Sequence, residues 1–364
     1  MGYEIAILAL PVLTAFFAKI YWRTTINWHE MGLQVVIVLL VGFLLFAFAG
    51  FSQVRDVEIW NGQVTGKEQV QVSCEHSYQC NCVKSCSGSG ANKSCTEICQ
   101  TCYDHSYDWD WDVFTNIGRF SIDRVDRQGV DMPPRWGEVQ VGEPVARSHV
   151  YTNYVKAVPE SLFNHEGATY AGLPPVPAYP QVYDYYRVNR VLTVGVNLPN
   201  ANAWNAHLSD ILKELGPKKQ ANVTLVFVNT ADQMYRHKLE AEWLGGKKND
   251  VVVMFGVTDY PKIAWVDVMT FGLNMGNERF HMTLKNNLFN LGELDQDKVM
   301  SEIQTQVMAY YDRPQMKNFE YLKDAITPPT WLLIVIFILE MALSIGLTVY
   351  FHLNDVRLMG RSRW

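Results

Sequence analysis

Three apolar blocks constrain this chain more than any other feature. They run from Tyr3 to Trp22, from Gly32 to Phe51 and from Trp331 to Tyr350. Each is about 20 residues, the length a helix needs to cross the ~30 Å hydrocarbon core of a bilayer. The second block has no charged residue, and the third has only Glu340. The competing readings are a buried core helix and, for the first block, a cleaved signal peptide. Against the latter, the first block carries Glu4 at its start and Lys19 and Arg23 after its apolar run, and no small-x-small cleavage site precedes the second block. It is read as a retained span, kinked at Pro11. The expected organisation is two transmembrane helices in 1–52, a large domain from 53 to 326, a third transmembrane helix at 330–351 and a basic tail at 352–364.

Basic residues set the orientation. Lys19 and Arg23 flank the first loop, and the tail carries Arg357, Arg361 and Arg363. Both belong in the cytoplasm, which leaves the large domain periplasmic or extracellular and the C-terminus cytoplasmic. The net charge of -6 comes without any basic stripe, so nucleic acid is excluded as a partner.

All seven cysteines fall in 74–102: Cys74, Cys80, Cys82, Cys86, Cys95, Cys99 and Cys102. In an oxidising compartment they pair, because a small segment without its own core needs staples. In a reducing one they bind zinc, with Cys99-x-x-Cys102 at ligand spacing and His76 and His105 nearby. The topology favours disulfides. Seven is odd, so one thiol stays free, binds something or bridges to another chain. The Ser-Gly-rich stretch between Cys86 and Cys95 reads as a flexible tip.

Tyr107-Asp108-Trp109-Asp110-Trp111-Asp112 follows. In a strand, Asp108, Asp110 and Asp112 share one face and the tryptophans the other. The functional reading is a calcium site or ligand platform. The plain one is an amphipathic strand with a Trp face in the core and a solvated Asp face; no glycine supports a calcium turn. Short alternating runs broken by Gly, Pro and Asp continue to Val158. This marks a β-rich module at 53–172, whose first strand runs from Val57 to Val72. The run Leu173-Pro174-Pro175-Val176-Pro177-Ala178-Tyr179-Pro180 reads as an extended proline-rich linker at 173–180.

Beyond the linker, strands alternate with helices through 181–326, which implies an α/β domain with a mostly parallel sheet. The strands are Val191–Val196, Val223–Val228, Val251–Phe255 and Ile263–Met269. The helices are Ala203–Leu215, capped by Asn202 and ended by Gly216-Pro217, then Met234–Trp243, Arg279–Leu288 and Asp295–Tyr311.

The strand Val223–Val228, the turn Trp243-Leu244-Gly245-Gly246-Lys247-Lys248-Asn249-Asp250 and the strand Val251–Phe255 resemble the TPM domain family over about Ala221 to Tyr311. That resemblance implies one of two functions, a membrane-anchored phosphatase or an assembly and repair factor at membranes. Phosphatase chemistry requires clustered carboxylates or histidines that hold a metal or phosphoryl oxygen. Asp232, Asp250, Asp259 and Asp267 are the candidates, set against the plain role of aspartates as turn and helix caps. No nucleophile elbow, Walker loop, zincin or dinucleotide motif is present.

The leading reading is a membrane-anchored scaffold or assembly protein. It would present a disulfide-stapled module and a TPM-like α/β domain outside the cytoplasm to other membrane or periplasmic proteins. A TPM-type phosphatase or hydrolase is the alternative, and a component of a transport or secretion complex the third. No cofactor is expected unless the cysteines or aspartates hold zinc or calcium. Glu340, near the bilayer midplane, is expected to be paired or turned toward protein. Its expected partners are Thr14 or the Glu340 of a second copy, which would make the chain a homo-oligomer.

Overall fold

Two of the three apolar blocks form helices long and apolar enough to cross a membrane, Trp28–Val54 and Thr330–Leu353. The computed structural model describes residues 2–87, 94–158, 170–184, 186–272 and 276–354. Most of the Ser-Gly-rich tip and the whole arginine-bearing tail lie outside the described residues. The first block is also helical, as α1 (Gly2–Tyr21). Its described apolar part, Ile7–Tyr21, falls short of 18 residues, so the expectation of three spans is corrected to two that meet the length criterion. The chain divides into two compact units.

The first unit comprises Met1–Asp56, Val150–Asn164 and Gln315–Trp364. In it α1 packs against α2 (Trp28–Val54) and the last helix, Thr330–Leu353. The Gln34 side-chain amide donates to the Ser344 carbonyl at 2.8 Å and to the Thr348 hydroxyl at 2.9 Å. The Thr14 and Ser344 hydroxyls meet at 2.6 Å, and Ser344 also donates to the Pro11 carbonyl at 2.7 Å. Lys19 is buried; its ammonium donates to the Arg23 and Ile26 carbonyls of the first loop. Glu340 is fully buried against Gly42, and neither carboxyl oxygen has a hydrogen-bond partner among the described residues. The expected pairing with Thr14 is not formed: that hydroxyl is engaged by Ser344 and Pro11, and Glu340 is instead turned toward protein of its own chain.

The second unit comprises Val57–His149 and His165–Pro314. The β-rich module and the α/β domain both lie within this unit. Its first sheet has the order β5-β4-β1-β6. These strands are β1 (Arg55–Val72), β4 (Asp108–Thr115), β5 (Gly118–Ile122) and β6 (Pro144–Thr152). A separate pair, β2 (Ser77–Ser87) and β3 (Ser94–Tyr103), lies between β1 and β4 in the chain. The one-turn helix α3 (Pro134–Glu138) places Trp136 in the sheet's core beside Trp111, and β7 (Val182–Tyr183) and β8 (Arg187–Val188) form a short hairpin.

The second sheet is β12-β11-β10-β9. Strands β9 (Val191–Val194), β10 (Asn222–Val228) and β11 (Asp250–Gly256) are parallel, and β12 (Trp265–Thr270) is antiparallel. Every residue of β10 and β11 is buried, as the largely apolar strands of a sheet covered on both faces require. Helices α4 (Ala201–Lys219), α6 (Glu278–Asn290) and α7 (Gln296–Tyr310) cover one face, and α5 (Tyr235–Glu242) covers the other. Three consecutive parallel strands step in one direction, yet α4 and α5, which join them, lie on opposite faces. The two crossovers therefore have opposite hands, one of them the rare left-handed kind.

Two local expectations are corrected. The α4 helix starts from Asn200, not Asn202, and runs through Gly216-Pro217 to Lys219. Gly216 is there for packing, not as a stop: a Cβ on it would sit 2.1 Å from the Asn61 carbonyl oxygen of β1. The proline-rich run is extended but is no spacer. It straps across α5, where its unpaired carbonyls accept from Tyr235 (3.0 Å to Pro175), Lys238 (2.8 Å to Pro174) and Trp243 (3.0 Å to Pro177).

Candidate functional site

Strands β2 and β3 form an arm stapled along its length. Three disulfides, Cys80–Cys102, Cys82–Cys99 and Cys86–Cys95, join the two strands and no other element. A two-stranded ribbon has no second layer to bury side chains against and is at best marginal alone, so covalent staples supply what a core supplies elsewhere. The paired residues Val83 and Ile98 are 67% and 64% exposed, and Tyr78 and Tyr103 are exposed as well. Among the described residues, the arm thus offers rigid, exposed apolar side chains beside strand edges whose backbone groups join no further strand.

Cys74 is the seventh cysteine, free and buried, at the arm's root where β1 gives way to β2. Its sulfur lies 3.8 Å from His105 Nδ1 and 3.7 Å from the His76 carbonyl oxygen. His105 Nδ1 lies 3.2 Å from Asp108 Oδ1. The other Asp108 oxygen accepts from the Glu75 amide at 3.1 Å and from Arg124 at 3.0 Å. Burial alone would raise the Asp108 carboxyl; contacts from Glu75, Cys74, His105 and Arg124 together hold it below its ordinary range.

The aspartates of β4 do share one face, and Trp111 does enter the core, but the Asp face is not solvated. Asp108 and Asp112 are buried. Arg124 spans Asp108 and Asp110, and Asp112 accepts from Ser121 with Arg119 at 3.5 Å. Three carboxylates answered by arginines and a hydroxyl are not converging on a calcium ion. The ring of His76 takes no part in the root; only its carbonyl does.

The four aspartates of the α/β domain are not brought together. Asp232 accepts from the Met234 amide at 2.9 Å before α5, and Asp259 pairs with Lys262 on the surface. Both follow the C-terminal ends of their strands. Asp267 lies within β12 and meets Lys285 at 3.0 Å. Asp250 opens β11 at the opposite sheet edge and is 1% exposed. It accepts from Asn222 at 2.9 Å, from the Tyr179 hydroxyl at 2.8 Å and from the Lys247 amide at 2.7 Å. Burial pushes Asp250 up to about 6 against those bonds. Arg190, joined to the network through Asn222 and Asn61, is pulled down by burial to about 10. The turn ahead of Asp250 has Leu244, Gly245 and Gly246 all in the left-handed region, which folds the Lys247 amide back onto the carboxylate. This network knits the strap, both sheets and the Trp-Leu-Gly-Gly turn into one unit, and every Asp250 oxygen is occupied.

Arg124, Arg190, Asn222 and Tyr179 were not legible as partners. Asn222 carried one signal, an amide opening a largely apolar strand. Comparison with family models, with curated proteins and with solved structures gives no match for the chain.

Proposed function

We propose that this is a membrane-anchored interaction protein that holds its disulfide-stapled arm outside the cytoplasm as a contact surface for other membrane or extracytoplasmic proteins. The observation that carries the reading is the arm itself, three disulfides keeping Val83 and Ile98 exposed in fixed register. Disulfides persist in oxidising compartments. A ribbon with open edges and apolar side chains suits strand addition by a partner. The anchoring rests on α2 and the last helix, which bracket the second unit in the sequence. Lys19 and Arg23 before α2, and the arginines after the last helix, assign both flanks to the cytoplasm. That assignment is the same whether or not α1 also crosses. Hydrogen bonds from α1 to the last helix support its membership in a membrane bundle.

A phosphatase of the TPM type finds less support, since the candidate carboxylates are dispersed and Asp250 is sealed. The test is photocrosslinking in native membranes from Val83 or Ile98, with Met282 on α6, also 67% exposed, as control. Discrete adducts to another polypeptide from the arm positions alone are expected. No adduct from the arm, or the same adducts from Met282, would overturn the reading.

A further inference from the structure

We propose that Cys74, His105 and Asp108 bind a divalent transition cation of the zinc class at the root of the arm. Their ligand atoms, Sγ, Nδ1 and a carboxylate oxygen, all lie within 4.8 Å of one another. Bonds of ~2.3 Å to sulfur and ~2.0–2.1 Å to nitrogen and oxygen, at tetrahedral angles, place S and N about 3.6 Å apart and N and O about 3.3 Å apart. The observed separations are 3.8 and 3.2 Å. The latter is long for a direct contact of imidazole with carboxylate, which closes to ~2.7–2.9 Å when charged.

The arrangement also discriminates among uses of a buried thiol. A nucleophile activated by a His–Asp pair needs sulfur and carboxylate on opposite ring nitrogens. Here both address Nδ1, so a proton relay through the ring is not built, whereas convergence on one point is. The other six cysteines are paired with one another, which leaves Cys74 no disulfide partner in the chain. The group Cys82, Glu97 and Cys99 also clusters, but its sulfurs form a disulfide and are no ligands. A thiolate with imidazole and carboxylate selects zinc or its neighbours over calcium or magnesium. Arg124 and the Glu75 amide hold Oδ2 of Asp108, which orients Oδ1 toward His105.

On binding, the Cys74 S–H bond breaks, the proton leaves to solvent and the thiolate pair forms the metal–sulfur bond. His105 gives its Nδ1 lone pair with its proton on Nε2. Thiolate and carboxylate balance the dication. The fourth position is left to water or to the His76 carbonyl, 3.7 Å from the sulfur. The cation would join the end of β1, the start of β4 and the chain that enters β2 and leaves β3, so that covalent staples and metal fix the arm in series.

The full chain, purified in mild detergent without reductant, is assayed for zinc by elemental mass spectrometry and titrated with Co²⁺. One equivalent and a thiolate–cobalt charge-transfer band in the near ultraviolet are expected. Cys74→Ser and His105→Gln should each lose the band and lower affinity by more than about 100-fold. His76→Gln should keep both. His105 is partly exposed, so its variant checks the result should Cys74→Ser misfold; an unchanged disulfide map certifies folding. A correctly paired chain that takes up no metal, shows cobalt without the sulfur band, or binds equally well as Cys74→Ser overturns the proposal.

Discussion

The arm and the α/β sheet solve one problem in opposite ways. Strands β10 and β11 bury all their side chains between helices on two faces, and no cysteine lies anywhere in that domain. Strands β2 and β3 have no covering layer, expose Val83 and Ile98, and hold all six paired cysteines. Burial of a Val, Leu or Phe contributes about 1.5–3 kcal/mol, and a disulfide typically about 2–4 kcal/mol, largely by restricting the unfolded chain. Where a segment can be sandwiched, packing suffices. Where its faces must stay open to be used, cross-links take over.

The sharpest way to break this comparison is reduction. Amide exchange in β2 and β3 is expected to accelerate by orders of magnitude with a strong reductant, while β10 and β11 keep their protection. Equal loss in both regions would mean that the arm's staples also sustain the α/β core.

A second test uses pH, to which the packed region is sensitive through two buried groups. Asp250 is pushed up to about 6, so the folded state holds its proton more tightly than the unfolded chain. Stability then falls as pH rises from about 4 to about 6. His281, hydrogen-bonded to Thr270 at 2.9 Å, is pulled down by burial to about 4. There the unfolded state binds the proton more tightly, and stability rises as pH rises from about 4 to about 6.5. Each contribution is on the order of a few kcal/mol, and the two have opposite signs. Relative to the parent, Asp250→Asn should gain stability with pH across this window, and His281→Leu should lose it. Denaturant titrations of the full chain at pH 4, 5 and 6.5 check the signs; parallel curves for all three proteins would contradict the burial argument.

The smallest expected effect on stability sharpens the functional half of the comparison. Ile98→Thr removes exposed apolar surface from a β-competent position and should change stability by less than about 0.5 kcal/mol. It should nonetheless weaken photocrosslinking from Val83. An undiminished adduct would show that the apolar pair is not what the partner meets.

Much of this architecture was legible because it rests on periodicity. The strands read at Val223–Val228 and Val251–Phe255 showed as buried from largely apolar runs, and the odd cysteine followed from parity. What escaped depended on partners distant in sequence. Gly216-Pro217 read as a helix stop because nothing local tells that β1 presses on Gly216. The proline run read as a linker because its carbonyl acceptors meet donors about 60 residues away. The Asp face of β4 read as solvated because Arg124, which covers it, belongs to another segment. Glu340 was visible as an oddity, but its enclosure against Gly42 was not.

The central claim is that the arm works in an oxidising compartment, on the far side of the membrane from the basic flanks. Intact cells are quenched in acid, the protein is denatured with chelator and alkylating reagent without reductant, and each cysteine is read by mass spectrometry. The account predicts one alkylated residue, Cys74, and the pairs Cys80–Cys102, Cys82–Cys99 and Cys86–Cys95 intact. Alkylation of most or all seven cysteines would place the arm in a reducing compartment and contradict it.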